Sequence, residues 1–246
     1  MQVRQAANVL ELLEFFAERR KPATLTEIAV ELDWPRSSTF NIVGTLADKG
    51  YLYEPVTRGG YYPTPRWFVA TQAIAEADPL PEPLLALARE IRDATGETTG
   101  IASPSGMNAV MLFVAESSQA VRYFAKAGSR VPIHASSVGR ALLAQYPKPE
   151  REALYRKIDF TGLPPTAPRS PDELEAALFD AETRGYHQSD SEYVPDLAGV
   201  SVTLLCPHRR LALVVAGPRS RCLERRADTA AIIRDLSGAQ GLLHEP

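Results

Sequence analysis

Three prolines alternate in Pro79-Leu80-Pro81-Glu82-Pro83. Each holds φ at about −65° and removes a backbone donor, so neither a helix nor a central strand continues through the run. The run stiffens the chain and reads as a domain boundary. It separates residues 1–66, with a linker helix and Pro-rich boundary over 67–83, from a larger unit over 84–246. A second group, the four prolines from Pro164 to Pro171, reads as a surface loop ahead of a helix.

The chain has 246 residues, 45% of them hydrophobic and 23% charged, which excludes collagen-like, fully disordered and membrane-spanning classes. Lys+Arg number 27 against 30 Asp+Glu, so a globally basic nucleic-acid binder is not indicated and only a local basic surface remains open. Two cysteines, Cys206 and Cys222, are too few for a secreted disulfide framework and are expected to be inert thiols rather than redox sensors. Arg4, Asn8 and Glu11 interrupt the apolar residues of the first segment, so it lacks a signal-peptide core. No apolar run approaches the roughly 18 residues of a spanning helix. The expectation is a cytosolic globular protein with no membrane partner.

Ala6, Val9, Leu10, Leu13, Phe16 and Ala17 recur at helical spacing, predicting a helix over about 4–18. Arg19-Arg20-Lys21 suits its carbonyl end and Pro22 stops it. Thr24-Leu25-Thr26-Glu27 matches a capping box that opens a short second helix ending near Leu32. Asp33-Trp34-Pro35 is a turn, with Pro35 suited to the first position of a third helix. Three helices with a short turn between the last two outline a helix-turn-helix.

At 100° per residue, Thr39, Ile42, Val43 and Leu46 of the third helix share an apolar arc. Ser37, Phe40, Asn41, Gly44 and Thr45 lie opposite, flanked by Arg36 and Ser38. That outer surface is small and uncharged, which suits hydroxyls and amides meeting phosphates or base edges of double-stranded DNA, with Phe40 on a thymine methyl. The alternative is a weakly charged helix packed on a neighbouring domain. Tyr51–Glu54 and Tyr61-Tyr62 flank Val56-Thr57-Arg58-Gly59-Gly60 as a hairpin, putting Arg58 near a wing tip against the sugar-phosphate backbone. Residues 1–66 carry eight basic and eight acidic side chains, but residues 34–66 carry four against two, so the excess falls where a groove would lie.

Leu32-Asp33-Trp34-Pro35-Arg36-Ser37-Ser38-Thr39, followed by Leu46-Ala47-Asp48-Lys49-Gly50-Tyr51-Leu52, resembles the winged helix of the IclR (isocitrate lyase regulator) family of bacterial transcription factors. That family often places Arg where this chain has Asn41, so a base preference does not carry over. Its Leu-Gly after the wing is replaced by Pro65-Arg66.

Trp67, Phe68, Ala70, Thr71, Ile74 and Ala75 predict the linker helix, and another helix runs from Leu84 to Thr95-Gly96. Strand-like runs follow at Thr99–Ser103, Ala109–Glu116, Val121–Phe124, Gly199–Leu205 and Leu211–Ala216. Helices are expected at Ser136–Gln145, Ser170–Arg184, where Ser170-Pro171-Asp172-Glu173 is a second capping box, and from about Leu223. Strands, helices, then strands predict an α+β domain with an antiparallel-rich sheet.

Gly128 to Ala144, with Ile133-His134-Ala135-Ser136-Ser137-Val138-Gly139-Arg140 at its centre, resembles the same family's most diagnostic stretch. Arg184-Gly185-Tyr186, Glu192 and Ala212 to Pro218 resemble later landmarks in order, so the likeness covers nearly the whole chain. It implies a GAF-like carboxy-terminal domain that senses small carboxylic or aromatic acids and contributes to a homodimer or dimer of dimers. It also implies a pocket from His134, Ser136, Ser137 and Val138, from Gly199 and Ser201, and from Val214 and Ala216, with Ser189 beside them. Ser136 or Ser137 caps a helix start, a natural seat for a carboxylate; the alternative is that they only cap. Relatives taking small oxo-acids tend to carry small or polar residues at Val138, Val214 and Ala216, and often Cys or Ser near Gly199. The apolar residues here predict an effector with an aromatic or otherwise apolar body and one acidic end.

No P-loop, G-x-G-x-x-G or H-E-x-x-H is present. No cofactor, metal site or catalytic residue is expected. Gly199-Val200-Ser201-Val202-Thr203 lacks the second glycine of a nucleophile elbow. His134 is expected to be structural or ligand-contacting, and Asp190 and Glu192 to be surface or pocket-rim carboxylates. Two functions remain open at this point. One is a ligand-responsive regulator, more in keeping with a repressor, on a pseudo-palindromic operator of a catabolic operon. The other is a small-molecule hydrolase or binding enzyme whose amino-terminal helices only mediate contacts.

Overall fold

The computed structural model describes residues 3–56, 59–238 and 241, and the chain divides into two compact units, Met1–Pro79 and Leu80–Pro246. In the first, α1 (Arg4–Arg19), α2 (Leu25–Glu31) and α3 (Arg36–Asp48) pack around Leu12, Phe16, Ile28, Trp34 and Val43. Arg20 closes α1 in the left-handed conformation at φ 54°. The Thr24 hydroxyl accepts the Glu27 N–H and the Glu27 carboxylate accepts the Thr24 N–H at 2.8 Å, a complete capping box. Pro35 is the residue before α3 rather than its first, because its ψ of 136° is extended.

Strands β1 (Leu52–Tyr53) and β2 (Tyr62–Pro63) pair antiparallel. Tyr61 adds a bridge to Ala23 in the α1–α2 connection through bonds of 2.7 and 3.0 Å. Gly60 makes that bridge possible: its φ is +90°, and a Cβ there would overlap the Ala23 carbonyl. Helix α4 (Arg66–Ala77) is tied at its start, where the Trp67 indole donates to Tyr51 O at 2.9 Å. Its later apolar residues Phe68, Val69 and Ile74 are exposed.

The second unit opens with α5 (Glu82–Thr95) and strands β3 (Thr98–Ser105), β4 (Asn108–Ala115) and β5 (Arg130–Pro132). Helices α6 (Ser137–Leu143), α7 (Lys148–Tyr155) and α8 (Pro171–Arg184) follow. Strands β6 (His187–Asp190), β7 (Leu197–Leu204) and β8 (Leu211–Pro218), then α9 (Arg219–Cys222) and α10 (Arg226–Gly238), complete it. The six strands form one antiparallel sheet in the order β5-β4-β3-β8-β7-β6. Alternation along β8 explains the layering: Leu211, Leu213 and Val215 join α5 and α10 on one face, and Ala212, Val214 and Ala216 join α6 on the other. Both faces are covered, so β8 reads as an unbroken apolar run. Helices α7 and α8 pack outside α6 through Ile133, Leu143, Tyr155, Leu174 and Leu178.

Three further expectations change, and two strands are added. Val121–Phe124 is not a strand; Val121 and Phe124 are exposed, and Tyr123 is held instead by the Thr98 hydroxyl donating to its carbonyl at 2.7 Å. The edge strand is β5, and a second edge, β6, has the polar sequence His-Gln-Ser-Asp, which no alternation marks. The second capping box is half complete, since Glu173 accepts the Arg169 N–H rather than that of Ser170. The last helix begins at Arg226, after the separate turn of α9.

Candidate functional site

In the first unit, burial divides α3 along the expected line. Thr39, Val43 and Leu46 are buried, and Arg36, Ser37, Phe40, Asn41 and Thr45 are exposed, with Ser38 and Gly44 intermediate. Phe40 stands 65% exposed on an otherwise polar surface, on the side of α3 expected to face a groove. The Thr45 hydroxyl donates to Asn41 O at 2.7 Å, so its oxygen keeps acceptor capacity outward. Arg58 lies outside the described residues. Its neighbour Gly59 closes a turn onto Val56 O at 2.6 Å.

In the second unit a narrow cleft of about 20 Å³, room for about one water, lies between the start of α6 and the sheet. Of the expected residues, Ser136, Ser137, Val138, Ser189, Gly199, Val214 and Ala216 line it. Gly199 pairs with Ala216 across β7–β8 and with Ser189 across β6–β7, which brings three strands to one point. A Cβ on Gly199 would stand 2.8 Å from Ser137 Oγ and 3.0 Å from Ser189 Oγ, so glycine keeps this floor open. Ser136 is spent on structure: its hydroxyl accepts the Gly139 N–H and donates to Pro132 O. Ser201 sits behind the wall, fully buried, and donates to Ser137 Oγ at 2.9 Å. That leaves the Ser137 proton free to point into the cleft.

His134 is not among the lining residues. The chain before α6 turns into the cluster under α8, and its imidazole packs edge-on against Phe160 at 5.3 Å between centroids. Burial, with the charge of Arg140, pushes its pKa down, against a weaker pull from Asp159. The cleft instead gains Met111, Tyr123, Val131, Tyr193 and Leu197. Met111 could be read from strand alternation on β4, but Tyr123 and Tyr193 lie on irregular segments with no local signal. Their hydroxyls meet at 2.7 Å, and burial raises the Tyr193 pKa, keeping it a neutral phenol.

No charged side chain lines this cleft. Arg140, on the same helix as Ser137 and Val138, is buried and does not line it. It donates to both oxygens of Glu192 at 2.6 and 2.8 Å, to His134 O at 3.1 Å and to Gln188 O. Asp190 pairs with Arg219 at 2.7 Å. The two carboxylates therefore serve separate arginines and form no catalytic pair.

A wing, a helix-turn-helix with a polar outer face, and a pocketed α+β unit together define the winged-helix class of transcriptional regulator. Comparison with known proteins narrows the class. The model of the IclR helix-turn-helix domain matches residues 5–55, and that of the bacterial transcriptional regulator IclR C-terminal domain matches residues 79–239. The chain belongs to the IclR family of DNA-binding transcriptional regulators, a family that does not consist of enzymes. It is 26% identical to the acetate operon repressor of Salmonella typhimurium over 92% of this chain and 84% of that protein. It is 28% identical to the transcriptional repressor AllR of Escherichia coli, over 96% of this chain and 90% of that one. The IclR of Thermotoga maritima shares the fold at a TM-score of 0.76 and 17% identity, with 96% and 97% of the two chains covered. An IclR homologue of Microbacterium hydrocarbonoxydans, solved with 4-hydroxybenzoate, does so at 0.64 and 22%, with 96% and 99% covered.

Proposed function

We propose that this regulator is a repressor of a catabolic operon, released or tightened by a small carboxylic acid with an aromatic or otherwise apolar body. The observation that carries the reading is the lining of the α6 cleft. Met111, Val131, Val138, Leu197, Val214 and Ala216 form apolar walls, and Ser137, Ser189, Tyr123 and Tyr193 supply hydroxyls without any charge. Apolar walls with a few convergent polar groups suit a ring with one polar end, which enters as the walls part and buries apolar surface that glyoxylate or pyruvate lacks. The 4-hydroxybenzoate complex of a protein sharing the fold supports the ligand class.

Arg36, Ser37, Ser38, Phe40, Asn41, Gly44 and Thr45 are the proposed contacts in a major groove, with Arg58 on the backbone at the wing tip. A homodimer or dimer of dimers would place two such faces on a pseudo-palindromic operator. The α+β unit acts as a GAF-like sensor, and the effector shifts the population between arrangements that do and do not match the half-site spacing. Calorimetric titration of the full chain with benzoate, 4-hydroxybenzoate, glyoxylate and pyruvate tests the reading. Saturable binding of the aromatic acids is expected, and tight binding of glyoxylate or pyruvate alone overturns it.

A further inference from the structure

The apolar cleft holds about one water, so a ring enters only when part of the lining moves. Most of that lining stands on strands of one sheet or on α6 and its cap. Helix α6 is locked: every residue from Ser137 to Leu143 is buried, and a Cβ on Gly139 would overlap the Ile133 main chain. Tyr123 and Tyr193 are the exceptions. Each is half-buried on an irregular segment, and their hydroxyls meet at 2.7 Å.

The two tyrosines are held unequally. The Thr98 hydroxyl donates to Tyr123 O at 2.7 Å and Arg221 donates to Val121 O at 2.8 Å, which fastens the Tyr123 segment to β3 and α9. The connection between β6 and β7 is pinned at its ends instead. Arg140 grips Glu192 at 2.6 and 2.8 Å, and the Arg219 N–H donates to Asp196 O at 2.7 Å. Ser191 and Asp196 turn the chain out of β6 and into β7 at φ of 52° and 57°, left-handed values uncommon outside glycine. Among the described residues no main-chain bond holds Tyr193 or Val194 between those points. Val194, Pro195 and Asp196 are exposed, and an open cleft lined by Gln188, Asp190 and Glu192 borders the connection. Movement there displaces solvent and not packed core.

The bond between the phenols uses one hydroxyl proton and leaves the other, so the pair both donates and accepts. A ring hydroxyl has the same two capacities and can replace either phenol as the partner of the other. A bare ring edge has neither. We propose that Tyr193 is the latch of this pocket and, with Tyr123, its specificity-determining pair: the ligand parts the two phenols, and a ring hydroxyl restores the hydrogen bond that its entry breaks. The inference rests on the aromatic-acid reading of the pocket and adds to it a preference for hydroxylated rings. A plain ring breaks the latch without replacing it, which lowers its affinity by about two- to tenfold.

The test is calorimetry on the full chain with benzoate and 4-hydroxybenzoate, using the parent, Tyr123→Phe, Tyr193→Phe and the double variant. The parent should favour 4-hydroxybenzoate. Either single substitution should raise benzoate affinity by about two- to tenfold, because the latch is gone before the ligand arrives. The double variant should gain no more for benzoate than a single one, since both substitutions remove the same bond. Affinity for 4-hydroxybenzoate should gain less, so the preference narrows. Damage to the fold would weaken both acids and would not produce a gain. Unchanged or weaker benzoate binding in both single variants overturns the latch and leaves the pocket assignment standing. Binding of neither acid by the parent overturns the pocket reading and the latch with it.

Discussion

Replacing Arg140 with Leu should be among the most costly single changes in the second unit. Its guanidinium is buried with Glu192 and donates to two carboxylate oxygens and to the carbonyls of His134 and Gln188. Leucine removes all four bonds and leaves a buried ionised carboxylate without its partner, a loss of about 3–5 kcal/mol. Glu192→Leu leaves the guanidinium two carbonyl acceptors, so it should cost less, about 2–3 kcal/mol. The double variant has no buried charge. Gln188 O borders the open cleft and can take water, which leaves His134 O as the main orphan and a total loss of about 1–3 kcal/mol. The double variant should therefore be more stable than Arg140→Leu alone, with a favourable coupling of about 2 kcal/mol or more. Urea denaturation followed by circular dichroism measures each corner of the cycle. If the two single losses simply add, Arg140 and Glu192 do not act as a pair and the reasoning fails.

Other consequences are independent of that pair. Gly199→Val should close the apolar cleft, since its Cβ meets the Ser137 and Ser189 hydroxyls; the heat of 4-hydroxybenzoate binding should vanish, and an unchanged isotherm would remove the cleft as the effector site. In gel shifts, Phe40→Ala and Asn41→Ala should change preference among operator variants by about 1–3 kcal/mol at one base pair, whereas Arg58→Ala should weaken all sequences alike. Full affinity in the Arg58 variant would show the wing assignment to be wrong. Burial, then the charges of Arg140 and Arg184, holds the His187 pKa down at about 3. The unfolded chain then binds more protons below about pH 6.5, so stability is lost as pH falls from there toward 3. Between pH 7.5 and 5 this amounts to about 2 kcal/mol, and His187→Leu should lose less over the same range in urea melts.

Much of the first unit is legible in the residues because its interactions are local. The Thr24–Glu27 box spans one helical turn, the α3 faces follow from a fixed angle per residue, and the wing is a hairpin of near neighbours. The α+β class of the second unit and most of its strands are equally visible, since covered strands such as β8 must be apolar. Strand β6 was hidden because an edge built from His, Gln, Ser and Asp satisfies its backbone by pairing with β7, not by any pattern of its own.

The sites divide in the same way. The α6 segment carries Ser136, Ser137 and Val138 to the cleft, yet nothing local says that His134 turns away into the cluster under α8 or that the Ser136 hydroxyl is consumed by its own helix. Tyr123 and Tyr193, 70 residues apart, share a hydrogen bond across the pocket, and Arg140 and Glu192, 52 apart, neutralise each other outside its lining. Sequence alone determined most of the helices and the apolar strands, because propensity, capping and proline act over a few residues. Which side chains meet in the pocket, and which charges pair, was decided only when the sheet brought distant segments to one place.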